Sequence, residues 1–122
     1  MLILGIDHAA IKTSRLDESR SFYTEVLGLR DGPRPAFEFG GAWLYAGEHD
    51  VVHLVETDQD KAPSRVASIN HFALRVADID AAAKRLRERV VPFQSETTPG
   101  GELRQLYVTD PNGVRVELNA PG

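Results

Sequence analysis

The chain has 122 residues, no cysteine and a formal charge of −4, from 14 Lys and Arg against 18 Asp and Glu. The two signs are interspersed, which leaves no basic stripe for nucleic acid or an anionic membrane, and without thiols there is no disulfide framework and any metal must be held by nitrogen and oxygen. No apolar run approaches membrane-spanning length, and residues 1–4 lack the basic flank of a leader, so a cytoplasmic protein is expected.

Taken in chain order, residues 3–13 alternate loosely as a strand and run into Asp17, read as a helix N-cap. Phe22, Tyr23, Val26 and Leu27 then recur at helical spacing until Gly28 supplies the stop. Pro33 and Pro35 confine the next segment to an edge or loop. Residues 37–39, 43–46 and 51–55 read as three short antiparallel strands, the last two separated by a polar turn at Glu48, His49 and Asp50, where His49 is expected to be solvated. Residues 57–67 have the composition of a linker. The order then recurs: a strand over 69–76, Asp80 as N-cap, a helix from Ala81 to about Val90 with Ala83, Leu86 and Val90 inward, a stop at Pro92, and three more strands. These are separated by the turn signals Pro99-Gly100-Gly101 and Asp110-Pro111-Asn112-Gly113.

This recurrence is a tandem repeat. Ile6-Asp7-His8-Ala9-Ala10-Ile11-Lys12 lies over Ile69-Asn70-His71-Phe72-Ala73-Leu74-Arg75 at an offset of 63, and Val52-His53-Leu54 lies over Val116-Glu117-Leu118 at an offset of 64. The expected architecture is α+β, a single domain over 1–122 made of two βαβββ modules (about 3–56 and about 68–120) forming a curved eight-stranded cup. Strand parity decides which residues face which way. Ala9, Ile11 and Thr13, like Phe72, Leu74 and Val76, make an apolar face under the helices, together with Leu44, Ala46, Val52, Leu54, Leu106, Val108, Val116 and Leu118. His8, His53, His71 and Glu117 take the opposite face, with Trp43, Tyr45, Gln105, Tyr107, Arg115 and Asn119.

A sheet face carrying three imidazoles and a carboxylate is not what a packed core wants, because each buried polar group left unpaired costs about 1–3 kcal/mol. Two histidines and one carboxylate with open positions suit a catalytic divalent ion. His8, His71 and Glu117 are that set, and His53 is available as a fourth ligand or a nearby base. Arg115 and Gln105 would orient a polar end of a substrate, and Trp43, Tyr45 and Tyr107 would wall it.

Asp7-His8-Ala9-Ala10, Ser21-Phe22-Tyr23, Leu27-Gly28-Leu29, Asn70-His71-Phe72-Ala73 and the closing Asp110-Pro111-Asn112-Gly113 with Val116-Glu117-Leu118 together resemble the vicinal oxygen chelate superfamily. That group contains glyoxalase I, the fosfomycin- and bleomycin-resistance proteins and the extradiol dioxygenases. The resemblance implies paired βαβββ modules, metal ligands at His8, His53, His71 and Glu117, and a homodimer in which His8 and His53 of one subunit meet His71 and Glu117 of the other. The expected function is therefore a lyase or isomerase of glyoxalase type, using one divalent ion per site (Zn, Ni, Mn or Fe) on a small substrate that chelates it through two neighbouring oxygens. Glu117 and His53 would be its catalytic residues. The alternatives are an Fe(II) dioxygenase, a fosfomycin-resistance-like transferase and a ligand-binding module without turnover. One departure stands out: bacterial glyoxalase I usually has glutamate, doubling as the base, where this chain has His53.

Overall fold

The computed structural model describes residues 1–122, in two compact units, Met1–Lys61 and Ala62–Gly122. In the first, strand β1 (Ala9–Thr13) is followed by helix α1 (Leu16–Ser21), which continues as a π-helical turn over Phe22–Val26, then by β2 (Arg30–Gly32), β3 (Gly41–Ala46) and β4 (His49–Glu56). In the second, β5 (His71–Arg75), α2 (Ile79–Glu88), β6 (Gln94–Thr97), β7 (Leu103–Thr109) and β8 (Arg115–Pro121) repeat the order. Each unit is a four-stranded sheet, ordered β1-β4-β3-β2 in one and β5-β8-β7-β6 in the other. In both, the first strand pairs in parallel with the last and the remaining ladders are antiparallel. The expected α+β class and the βαβββ modules are thus present, with the eight strands divided between two four-stranded sheets.

The helix-side faces are those that strand parity gives. Leu44, Val52 and Leu54 in the first unit, and Leu106, Val108, Val116 and Leu118 in the second, are at most 4% exposed. Packing of α1 on β3 and β4, and of α2 on β7 and β8, removes these side chains from water. At about 25 cal/mol per Å² of apolar surface, such burial is the main stabilising contribution within each unit. Thr13 is buried among them because its hydroxyl has partners, Ser19 Oγ at 3.0 Å and the Arg15 backbone N–H at 2.9 Å.

Several local expectations are corrected. The helix caps lie two residues upstream of the aspartates proposed for them. Arg15 occupies the N-cap of α1 with Asp17 in its first turn, whereas Asp78 caps α2 by accepting the Ala81 N–H at 3.0 Å. Val90 is 86% exposed instead of inward, because α2 ends at Glu88 and Val90 has turned to a φ of 56°. The first edge strand is Arg30–Gly32, not residues 37–39. The two prolines end it, and Phe37 and Phe39 instead stack on each other at 4.9 Å in the following loop, with the Arg34 guanidinium over both rings. Ala46 is exposed at the end of β3. Within 57–67, Ser64–Val66 form a 3-10 turn, and the buried Ser64 hydroxyl accepts the Arg115 N–H at 2.8 Å.

Turn chemistry follows the sequence closely at residues 110–113. The Asp110 carboxylate accepts the N–H groups of Asn112 and Val114, each at 2.8 Å, and Gly113 takes the left-handed φ of 82° that closes the turn. This fixes the entry of β8, and with it the register of Glu117.

Candidate metal and substrate site

The four proposed ligands fall into two pairs, one in each unit. His71 is the first residue of β5 and Glu117 is central in β8; Nε2 of the imidazole lies 3.2 Å from Oε1 of the carboxylate. In the first unit the His8 and His53 rings stack face to face, with centroids 3.7 Å apart and planes 16° from parallel. His8 lies just ahead of β1, not within it. No group of three or more His, Asp or Glu side chains poised for one ion occurs in the single chain.

Glu117 is the most constrained of the four, with its side chain only 8% exposed. Burial is the largest influence on it and pushes its pKa up. Hydrogen bonds from Asn119, Gln105 and Tyr107, with the charge of His71, outweigh that effect and hold the carboxyl below its ordinary range. Asn119 Nδ2 donates at 2.8 Å. The net result is an ionised, almost buried carboxylate, a hard oxygen ligand of the kind divalent ions take. Tyr107 is shifted the other way: burial first, and then the neighbouring Glu117, raise its phenol above the ordinary value. Its hydroxyl therefore remains a donor.

Which imidazole nitrogen is free depends on the partner of the other. Nδ1 of His8 sits 2.7 Å from Asp7 Oδ2, and Nδ1 of His71 sits 2.8 Å from Asn70 Oδ1. Both partners are acceptors, so both Nδ1 atoms carry a proton, and in the neutral form of each ring Nε2 is the nitrogen left with a lone pair. For His71 that lone pair faces Glu117 Oε1. Two acceptors 3.2 Å apart call for a proton or a cation between them. Metal-bound histidines commonly have this arrangement, one nitrogen tied to a neighbouring acceptor and the other on the ion, and 3.2 Å suits two adjacent donors on one ion at about 2.1 Å from each. The His71–Glu117 pair therefore has the spacing and donor chemistry of two ligands to a divalent ion.

His53 differs. It is sandwiched between His8 and Trp43, the latter 4.0 Å away and 7° from parallel, and its Nε2 lies 2.5 Å from Asp50 Oδ2. The hydrogen bond from His53 is the main reason the Asp50 carboxyl lies below its ordinary range. His49 is exposed, and its Nε2 lies 2.6 Å from the Asp7 carbonyl oxygen and 3.4 Å from its Oδ1.

The proposed substrate residues divide as well. Gln105 and Tyr107 are engaged with Glu117, and Tyr107 also meets the edge of His71 at 5.8 Å. The Arg115 guanidinium lies 4.0 Å over the Tyr107 ring. Both line a cavity of about 700 Å³ in the second unit, walled further by Arg65, Pro92, Phe93 and Gln94. Tyr45 is turned elsewhere: its hydroxyl donates to the Pro33 carbonyl at 2.5 Å and its ring lies under Arg30. Sequence reasoning places Asp7 and Asn70 in the repeat without giving them a role, although their position beside each histidine is the available signal. It places Asp50 in a turn.

The family model described as Glyoxalase/Bleomycin resistance protein/Dioxygenase superfamily matches residues 5–118. The chain belongs to that superfamily. Among similar glyoxalases, lactoylglutathione lyase from Salmonella typhimurium is 29% identical over 119 residues, covering 91% of this chain and 88% of the relative. A crystal structure from Bacillus anthracis assigned to the glyoxalase family has 27% identity and a TM-score of 0.85, with 100% of this chain and 98% of that one covered. TnmS3, an antibiotic binding protein from Streptomyces sp. CB03234, has 25% identity and a TM-score of 0.72 over 100% and 99% of the two chains. Members of the superfamily act on small molecules and typically form dimers. No helix in this chain is long and apolar enough to cross a membrane.

Proposed function

We propose that the protein is a divalent-metal-dependent, glyoxalase-like lyase or isomerase acting on a small substrate that offers two neighbouring oxygens. His8, His71 and Glu117 would hold the ion, and when bound it would supply Lewis acidity toward those oxygens. The observation that carries this reading is the 3.2 Å approach of His71 Nε2 to the ionised Glu117, with the His71 tautomer set by Asn70. His53 would take a proton from the substrate carbon bearing one oxygen and return it to the adjacent carbon, so the reaction is an isomerisation with no net gain or loss of atoms. An imidazole can both accept and return a proton, which suits that exchange. Trp43 would keep water from the His53 face, and Arg115, which lines the cavity, would attract an anionic end of the substrate.

The working unit is proposed to be a homodimer in which His8 and His53 of one copy complete the His71–Glu117 pair of the other. Supporting it are Met1, Leu2, Ile3, Leu4 and Ile6, each at least 73% exposed, an apolar run that a second copy could cover. A second reading, a ligand-binding module without turnover, is favoured by the parallel His8–His53 stack, which packs the rings instead of converging their lone pairs.

Elemental analysis of protein purified without added metal comes first, followed by assays of methylglyoxal–thiol adducts, catechols and fosfomycin under nitrogen and under air. A bound divalent ion with isomerisation under nitrogen is expected. Oxygen-dependent turnover would replace the proposal with a dioxygenase, and stoichiometric binding without turnover would replace it with the binding module.

A further inference from the structure

We propose that Asp50 is a positioning residue for His53, holding the ring as its Nε2–H tautomer so that Nδ1 is the nitrogen presented for proton transfer. The backbone makes this contact possible. In the β3–β4 ladder Trp43 pairs with His53 and Leu44 with Val52, but Tyr45 pairs with Asp50, so Val51 is left out as a β-bulge. Partners across an antiparallel ladder share a face, as do residues two apart on one strand. Trp43 and Tyr45 therefore carry His53 and Asp50 on the same side. In an unbroken strand, residues three apart would point to opposite sides; the bulge re-aims Asp50 toward the imidazole.

Three contacts then leave the ring one orientation. His8 and Trp43 cover its two faces at 3.7 and 4.0 Å, which fixes the ring plane. Asp50 Oδ2, 2.5 Å from Nε2, fixes which edge points inward, since turning the ring over would replace Nε2 by a carbon. An ionised carboxylate only accepts, so the proton in this contact belongs to Nε2, and the neutral ring keeps its lone pair on Nδ1. After proton uptake at Nδ1, the same carboxylate would stabilise the imidazolium. His8 is held in the opposite sense, with Nδ1–H on Asp7, so the stacked rings present unlike nitrogens.

The functional consequence rests on His53 being the proton-moving group, but the test does not. Long-range ¹H–¹⁵N spectra of the protein as purified should show a pyrrole-like Nε2 and a pyridine-like Nδ1 for His53, assigned by comparison with His53→Gln. Asp50→Asn, which keeps an acceptor oxygen, should retain that pattern, and Asp50→Ala should convert it to a mixture of tautomers while the His8 signals stay in place. A protonated Nδ1 on neutral His53 in the wild type would overturn the inference without any variant. So would an Asp50→Ala protein that folds and keeps the single Nε2–H form. A wild type with the expected tautomer but no isomerase activity would leave the positioning role standing and remove the proposed reaction.

Discussion

The two units share a fold and differ in the chemistry built on it. Opposite Tyr45 on β3 stands Asp50, reached through a bulge; opposite Thr109 on β7, in an unbroken ladder, stands Arg115. One unit thus places a carboxylate against an imidazole, while the other places a guanidinium on the tyrosine that donates to a carboxylate. Duplication conserves the helix-side core because both copies must bury the same face. The other face is free to diverge, and there His53 and Glu117, equivalent in register, have acquired different partners.

Cutting into the shared core should have the largest effect and should be symmetrical. Leu54→Ala and Leu118→Ala remove equivalent buried side chains, 1% and 4% exposed, and each is expected to cost about 2–5 kcal/mol in denaturant unfolding. A cost below about 1 kcal/mol at either site would break the equivalence. The opposite face should respond unequally. Glu117→Gln, which keeps shape but loses charge, should lose most bound metal on dialysis while remaining folded. His53→Gln should keep the metal and lose turnover. Equal metal content in Glu117→Gln and wild type would remove Glu117 from the ligand set.

Tyr107→Phe deletes one donor to Glu117 and should cost about 1–2 kcal/mol at neutral pH. The folded-state pKa of Glu117 is depressed, so its contribution to stability is present above the unfolded pKa and is lost as pH falls through the folded value. The Tyr107→Phe deficit should therefore shrink in acid, and a deficit that grew would contradict the assignment. The smallest effect separates Asp17 from Asp80, equivalent positions in the first turn of each helix. Asp17 meets Arg20 of its own helix at 3.3 Å, whereas Asp80 is held by two nitrogens of Arg104 on β7, at 3.2 and 2.7 Å. The Arg104 hydrogen bonds, foremost, depress the Asp80 pKa. Asp80→Asn should lower the Tm more than Asp17→Asn, with the gap closing as pH falls below the ordinary carboxylate range.

Much of this is legible in the sequence because period and register are sequence properties. The offset of 63 to 64 yields two modules, and alternation yields the faces on which His53 and Glu117 lie. The misreadings have local causes. Asp78-Ile79-Asp80 offers two aspartates to one helix start, and pattern alone does not choose the one whose carboxylate reaches the Ala81 N–H. Phe37 and Phe39 have high strand propensity and draw the strand assignment away from Arg30–Gly32, a short charged edge without an apolar signature. The bulge is hidden by Val51-Val52: either valine could face the core, so nothing in the pattern says that one is out of register and that Asp50 has joined His53. The roles of Asn70 and Asp7 need atomic contacts to become visible.

The central claim is that unlike pairs from two copies complete one metal site, and complementation tests it most directly. A His8→Ala chain and a Glu117→Ala chain are each expected to bind no ion alone. Co-refolded, their heterodimers contain one site with His8 from the second chain and Glu117 from the first, and metal and isomerase activity should return together in the dimer fraction. A mixture that stays metal-free, or a wild type that sediments as a monomer with its ion bound, would contradict the shared site.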